Sequence, residues 1–245
     1  MSTSLSWTIT SALDGVLNSC DEVTATTLIA RVRERADMVG SSFVTDANLY
    51  PLLTESHQKL HGMLVDALGE SYSYNVTTFT TTASTDTYEM PCRFFKLYGV
   101  DMWIGDRAYA LRPFTRADRN LLRNAGTSGS GSWRGNLPLY SLTGNNLKLY
   151  PLPSPDLTCD VIYAKGANLL TTGSDVVSYP NGWERFIVID CAIQLLLKEE
   201  SSVGGLVEER AAIIREIEAS KEQRDLANPK RTVDVFASEY GDYEW

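Results

Sequence analysis

The sequence predicts an α+β fold: two pairs of helices forming a four-helix bundle, a large inserted antiparallel β module between them, and an extended C-terminal tail. Three observations carry this. Apolar residues recur every three or four positions before residue 71 and again after 181. Between these stretches the rhythm gives way to short Thr-, Tyr- and Val-rich runs broken by turn residues. Charge follows the same division, with 4 basic and 9 acidic residues in 1–71, 10 and 8 in 72–180, and 8 and 14 in 181–245. The predicted organisation is therefore residues 1–71 for an N-terminal lead and the first helical half, 72–180 for the β module, 181–231 for the second helical half and 232–245 for the tail.

In chain order, residues 24–39 read as a helix with Leu28, Ile29, Val32 and Ala36 on one side, stopping near Gly40. Thr45 is placed to N-cap a second helix that carries Leu49, Leu52, Leu60, Met63, Leu64, Ala67 and Leu68 and ends at Gly69. Pro51 is tolerated only in a first turn, so this helix is expected to begin near Tyr50 or to bend there. In the β module, strands are expected at 74–82 and 87–90 around an Ala-Ser-Thr-Asp turn, at 95–104 and 108–111 around Gly105-Asp106, at 139–142 and 147–150 around Thr-Gly-Asn-Asn, and at 158–164. Thr115 caps a short helix reaching Asn124, and residues 126–135 form a Gly/Ser-rich loop. Residues 183–197 are apolar nearly all round, the pattern of a helix enclosed by others, and 206–226 are amphipathic with Leu206, Ile213, Ile214 and Ile217 inward. Pro229 ends helix formation.

Composition excludes several function classes. With 22 basic and 31 acidic residues, the net charge of −9 disfavours a protein built to wrap the nucleic-acid backbone. The first ten residues lack the pattern of a secretory signal and no stretch approaches 18 apolar residues, so neither export nor a membrane span is expected. Cys20, Cys92, Cys159 and Cys191 are far apart and form no CxxC pair, which fits reduced thiols in a protein assembled in the cytosol.

Catalytic patterns are equally thin. His57 and His61 stand four apart on one predicted helix, a spacing that suits two metal ligands, but Gln-Lys-Leu lies between them and no third ligand completes a motif. They read as ordinary surface or interfacial histidines. The glycine loop contains neither GxxxxGK nor GxGxxG, no GxSxG elbow occurs, and acid pairs such as Glu199-Glu200 and Glu208-Glu209 read as solvated helix-end charges. No catalytic residue, cofactor or metal is expected.

Two features point instead to surfaces. Arg116, Arg119 and Arg123 fall at i, i+3 and i+7 with Arg112 and Arg134 nearby, a basic stripe able to meet phosphate or an acidic protein, although a solvated face explains it as well. The last fourteen residues carry Val233, Val235, Phe236, Tyr240, Tyr243 and Trp245 with four acids and no base. They are too few to make a core of their own and read as a peptide that inserts into a partner.

Beside these features stand Arg31-Val-Arg-Glu-Arg-Ala-Asp-Met38, Phe43-Val-Thr-Asp-Ala47, Leu60-His-Gly-Met-Leu-Val-Asp-Ala-Leu68, Tyr88-Glu-Met-Pro91 and Phe95-Lys-Leu-Tyr-Gly-Val-Asp101. Leu147-Lys-Leu-Tyr-Pro151, Gly182-Trp-Glu-Arg185, Lys198-Glu-Glu200, Glu208-Glu-Arg210, Gln223-Arg-Asp225 and Asn228-Pro229 follow. Through these segments the chain resembles, over about residues 28–235, the head-to-tail adaptor (connector, head-completion) proteins of tailed bacteriophages. The resemblance rests on packing and capping patterns, and the long β insertion departs from the most compact adaptors.

The resemblance implies a non-enzymatic virion protein of the neck, assembled in the host cytoplasm. It implies an adaptor-type helical bundle that forms a homo-oligomeric, dodecameric ring under the portal protein, receives tail or nozzle proteins on its other side and lets double-stranded DNA pass. In that setting the tail docks on the portal. An acidic helical face with Glu208, Glu209, Glu216 and Glu218 looks toward the lumen or a neighbouring subunit, where carboxylates keep DNA from sticking. The competing reading is a ligand- or carbohydrate-binding β module on a helical stalk, using Trp103, Tyr109, Trp133 or Tyr140.

Overall fold

A computed structural model describes residues 22–41, 44–115, 138–150 and 156–220. Among them the chain is mixed α+β, with four α-helices and several sheets that are almost wholly antiparallel.

The first helix, α1 (Ala25–Arg35), follows a three-residue strand, β1 (Glu22–Thr24). Thr24 caps it, its hydroxyl accepting from the Thr27 N–H at 3.2 Å. The helix stops four residues earlier than its periodicity suggests. Asp37 takes a left-handed conformation (φ 54°), so its N–H reaches Glu34 O at 3.3 Å while Met38 N–H reaches Arg33 O at 2.8 Å. This pair of bonds is a Schellman closure that satisfies the last carbonyls and turns Met38 into the core. The Arg33 side chain then organises the turn, donating to Val44 O and Asp46 Oδ1, each at 2.7 Å.

Helix α2 (Asp46–Leu68) begins before Pro51 rather than at it. Thr45 occupies the N-cap position without a side-chain bond, and Asn48 N–H bonds Thr45 O at 3.0 Å, so the first turn is closed by a short i→i+3 bond. Gly69, at φ 57°, ends the helix as its sequence predicts.

Helices α3 (Arg185–Lys198) and α4 (Gly204–Ser220) form the second pair. Trp183, expected inside α3, instead caps the 3-10 turn at Pro180–Gly182 that precedes the helix, though its ring is buried. α3 buries nine of its fourteen residues and packs against α1, α2 and α4. Ile213 and Ile217 of α4 are buried, with Leu206 and Ile214 packed at the margin.

One charge lies inside this apolar interior. Asp190 of α3 is 1% exposed. Its Oδ2 accepts from Ser56 Oγ (2.7 Å), Gln194 Nε2 (3.1 Å) and Lys59 Nζ (3.3 Å), and its Oδ1 from Arg210 Nη1 (2.8 Å). Burial would raise its pKa, but the bonds from Ser56 and Arg210, the Lys59 charge and the Gln194 bond outweigh that and hold it below the usual value. The carboxylate thus joins α2, α3 and α4 at one point.

The β-rich region has a core of its own. One four-stranded sheet has the order β2 (Asn75–Thr80), β9 (Thr158–Lys165), β4 (Phe94–Ile104), β5 (Arg107–Ala110). The other has β3 (Thr87–Glu89), β8 (Asn146–Tyr150), β7 (Leu139–Thr143), β6 (Arg112–Pro113). Phe79, Val100, Met102, Cys159 and Val161 of the first meet Tyr88, Leu147 and Leu149 of the second. The turns at Gly105 (φ 62°) and Gly144 (φ 60°) make the β4–β5 and β7–β8 hairpins their sequences predict.

The expected hairpin between 74–82 and 87–90 does not form. β2 pairs with β9 and β3 with β8, so the turn between them crosses from one sheet to the other. β6 pairs with β7 in parallel, a departure from the antiparallel expectation. A two-stranded ribbon, β1 with β10 (Val176–Ser178), lies beside α1. The returning chain before β10 closes on the start of α1, with Ala25 and Thr26 N–H donating to Asp175 and Gly173 carbonyls. The approach is so close that a Cβ on Gly173 would lie 2.4 Å from Thr26 Oγ1.

Replacing Asp190 by Ala leaves the Ser56 hydroxyl without its acceptor and Arg210 without its partner, while Lys59 keeps only Glu55 at 3.0 Å. Lys59 and Arg210 retain partial access to solvent, so the expected loss is about 3 kcal/mol, seen as a lower urea midpoint with an unchanged slope. A midpoint equal to wild type would refute the role given to this carboxylate.

Candidate interaction surfaces

The helical and β-rich parts are joined by two crossings, one leaving α2 through residues 69–74 and one returning through 165–179. His61 holds both. Its Nε2 lies 2.8 Å from Lys165 O on the return and its Nδ1 3.2 Å from Tyr72 Oη on the way out. A carbonyl only accepts, so Nε2 carries the proton and Nδ1 accepts from the tyrosine. Desolvation keeps the ring's pKa below its ordinary value, against the hydrogen bond to Lys165 O.

A cavity of about 310 Å³ opens at this joint, lined by His57, His61, Tyr72, Tyr74, Asn168 and Tyr179 among others. Tyr72 and Tyr179 lie nearly parallel with ring centroids 6.4 Å apart, and His57 meets Tyr179 edge-on at 5.6 Å. Burial pushes Tyr179 well above the usual phenol pKa, and the neighbouring Tyr72 adds to the shift. His57 is pushed down to about 4 by desolvation and by His61, partly opposed by a hydrogen bond with the Asn168 backbone. Its Nδ1 has no hydrogen-bond partner among the described residues. The histidines, read as surface or interfacial, are thus a buried and a half-buried member of the joint, because α2 turns this face toward the returning chain. Among the described residues no group of three or more His, Cys, Asp or Glu side chains is arranged to hold a metal.

The acids expected on one face of α4 fall into two kinds. Glu209 pairs with Arg35 of α1 at 3.1 Å and Glu216 pairs with Arg185 at the start of α3. Glu208 and Glu218 are exposed, with no ion pair among the described residues. Of the basic stripe, Arg112 lies exposed on β6, while Arg116, Arg119 and Arg123 lie outside the described residues. So do Val233, Val235, Phe236, Tyr240, Tyr243 and Trp245 of the tail.

The aromatic set of the carbohydrate reading does not converge. Cross-strand register aligns Trp103 with Ala108 and Tyr109 with Met102, so Trp103 and Tyr109 point to opposite faces of their sheet. Trp103 Nε1 donates to Asp160 on the outer face at 2.7 Å, Tyr140 packs against the sandwich core, and Trp133 lies outside the described residues. The thiols of Cys159 and Cys191 are buried and pushed up to about 12 by desolvation, which leaves them unreactive; Cys92 is exposed.

Asp190 is the residue that sequence reasoning overlooks. Its signal is legible in retrospect: a lone acid on a helix otherwise apolar all round must find partners or stay out of the core.

A sequence model of the SU10 adaptor protein family matches residues 23–233, and the chain belongs to that family of phage head-to-tail adaptors. It is a structural component of the virion that contacts other head or tail components. No curated protein sequence matches it. Among the described residues no helix is long and apolar enough to cross a membrane.

The buried His57 predicts a pH dependence with a definite sign. Its folded pKa lies below the unfolded value of 6.5, so both states are neutral above that pH and its contribution is constant there. Between pH 6.5 and about 4 the unfolded chain takes up a proton that the folded one refuses, and stability falls by about 3 kcal/mol across that window. Denaturant titrations at several pH values should show the fall, and His57→Leu should flatten it, leaving the smaller slope from His61. Identical slopes in the two proteins would show that His57 is not held neutral.

Proposed function

We propose that this adaptor assembles as a homo-oligomeric ring, dodecameric as the resemblance to head-to-tail adaptors implies, that joins the portal to the tail or nozzle proteins and passes double-stranded DNA through its lumen. The observation that carries the reading is the family match across 211 residues, 23–233. In this reading the helical parts form the adaptor-type bundle that builds the ring, and the β-rich region meets tail components. The segment with Val233, Val235, Phe236, Tyr240, Tyr243 and Trp245 docks on the portal, and the stripe Arg112, Arg116, Arg119 and Arg123 contacts a partner.

Two physical points support it. The helical core and the β-rich region are each closed around their own apolar interior, and the joint between them is clamped by His61. A subunit built this way transmits a fixed spacing from one partner to the other. The acids Glu208 and Glu218 make no ion pair among the described residues and suit a wall that DNA passes without sticking, while Glu209 and Glu216 brace α4 against its neighbours.

Native mass spectrometry of the full chain, alone and mixed with portal, tests the reading. The expected result is a monomer or small oligomer alone and a portal-bound ring of many copies in the mixture. A chain that stays monomeric and unbound beside assembled portal would refute it.

A further inference from the structure

The joint cavity has the features of a docking site. Tyr74 and Val176, 44% and 43% exposed, line it, and Phe95 stands against His61 with ring centroids 5.8 Å apart. Leu169, 50% exposed, follows Asn168 of the lining. A rim of exposed apolar side chains around an aromatic floor is the arrangement that takes an anchor side chain from a peptide. The unpartnered Nδ1 of the buried His57 adds a polar group there that lacks its hydrogen bond.

The chain itself supplies a fitting occupant. Residues 232–245 carry Phe236, Tyr240, Tyr243 and Trp245 among four acids. On the rim, Lys165 lines the cavity and Arg93 bonds the Asn168 side chain, and neither makes an ion pair among the described residues. Glu22 is the opposing charge.

The path of α4 brings that segment to the right end of the molecule. Arg185 pairs with Glu216 and Asp190 with Arg210, so α3 and α4 run antiparallel. The C-terminal end of α4 therefore lies at the N-terminal end of α3, six residues along the chain from Tyr179 on the cavity floor. The eleven residues 221–231 could span at most about 40 Å if extended, a generous tether from there.

We propose that the joint cavity is the resting dock of the chain's own terminal segment, whose aromatic side chains occupy it in the unassembled protein and leave it when a partner takes the segment. This rests on the reading that residues 232–245 engage a partner on assembly. The dock gives those aromatic side chains cover in the free chain and makes their release conditional on a better lock. Partner binding then has to outcompete an intramolecular contact held at high effective concentration, so encounters with weak partners fail.

The test is photo-cross-linking in the full-length chain with p-benzoylphenylalanine in place of Tyr240, the products mapped by peptide mass spectrometry. Expected are cross-links to residues 72–75 and 165–179 in species of monomer mass. Leu169→Glu and Val176→Glu, both at exposed positions, should each lower that yield about tenfold while the far-UV circular dichroism of the same sample stays that of the folded wild type. Adding portal should lower it as well. Cross-links at dimer mass, cross-links confined to other segments, or none at all would overturn the proposal. The ring reading is judged separately by the mass of the portal mixture, so either can fail without the other.

Discussion

The helical half of the molecule depends on one buried carboxylate. Asp190 lies in the helix that every other helix touches, and it draws donors from α2, from its own helix and from α4. Apolar packing is tolerant of small rotations and slides, since one aliphatic contact replaces another at little cost. A charge with four donors is not tolerant. If α4 slid by one turn, Arg210 would leave Asp190 and the carboxylate would lose its strongest cation in a dry setting. The register that results also fixes the other ion pairs, Arg35 with Glu209 and Arg185 with Glu216, which contribute little individually on the surface.

The joint to the β-rich region uses a different device. No covalent crosslink or large apolar interface is needed where a neutral imidazole bridges the outgoing and returning chains and two tyrosines close over it. Such a joint is stiff while its hydrogen bonds persist and is built from few residues, which makes it a place where a bound peptide changes the balance. For an adaptor this matters, because the angle between two parts of a subunit sets the distance between the surfaces it connects.

Much of this was legible in the sequence, and the failures have physical causes. α2, α3 and α4 announced themselves because each has a long face of Leu and Ile at helical spacing, and the hairpins at Gly105 and Gly144 because a glycine stood where φ had to be positive. The end of α1 was misread because periodicity runs on through Ala36 and Val39, while a Schellman closure at Asp37 depends on backbone bonds that an aspartate signals less clearly than a glycine. The strand following β2 was assigned to the wrong sheet because a short turn implies pairing only if both strands lack better partners, and β9 and β8 supplied them. The ribbon of β1 and β10 joins residues more than 150 apart with three residues each, beyond the reach of any local pattern. At the candidate surfaces, residue type named the acids of α4, but only the fold could show which of them were already bound.

That distinction changes how the acidic balance of the chain should be read. A net charge of −9 invites the picture of a bare negative wall, yet Glu209 and Glu216 each stand against an arginine from another helix. Glu208 and Glu218 are exposed and have no such partner among the described residues. In the ring we propose, whatever a subunit presents is repeated in every copy, so few unpaired carboxylates per chain suffice. Screening limits each to about 8 Å at physiological salt, and what repels a passing phosphate is local spacing rather than total charge. In that proposed ring the acids paired with arginines hold the helices in place, and Glu208 and Glu218 are the ones available to a DNA path, so one helix would serve stability and passage with different faces.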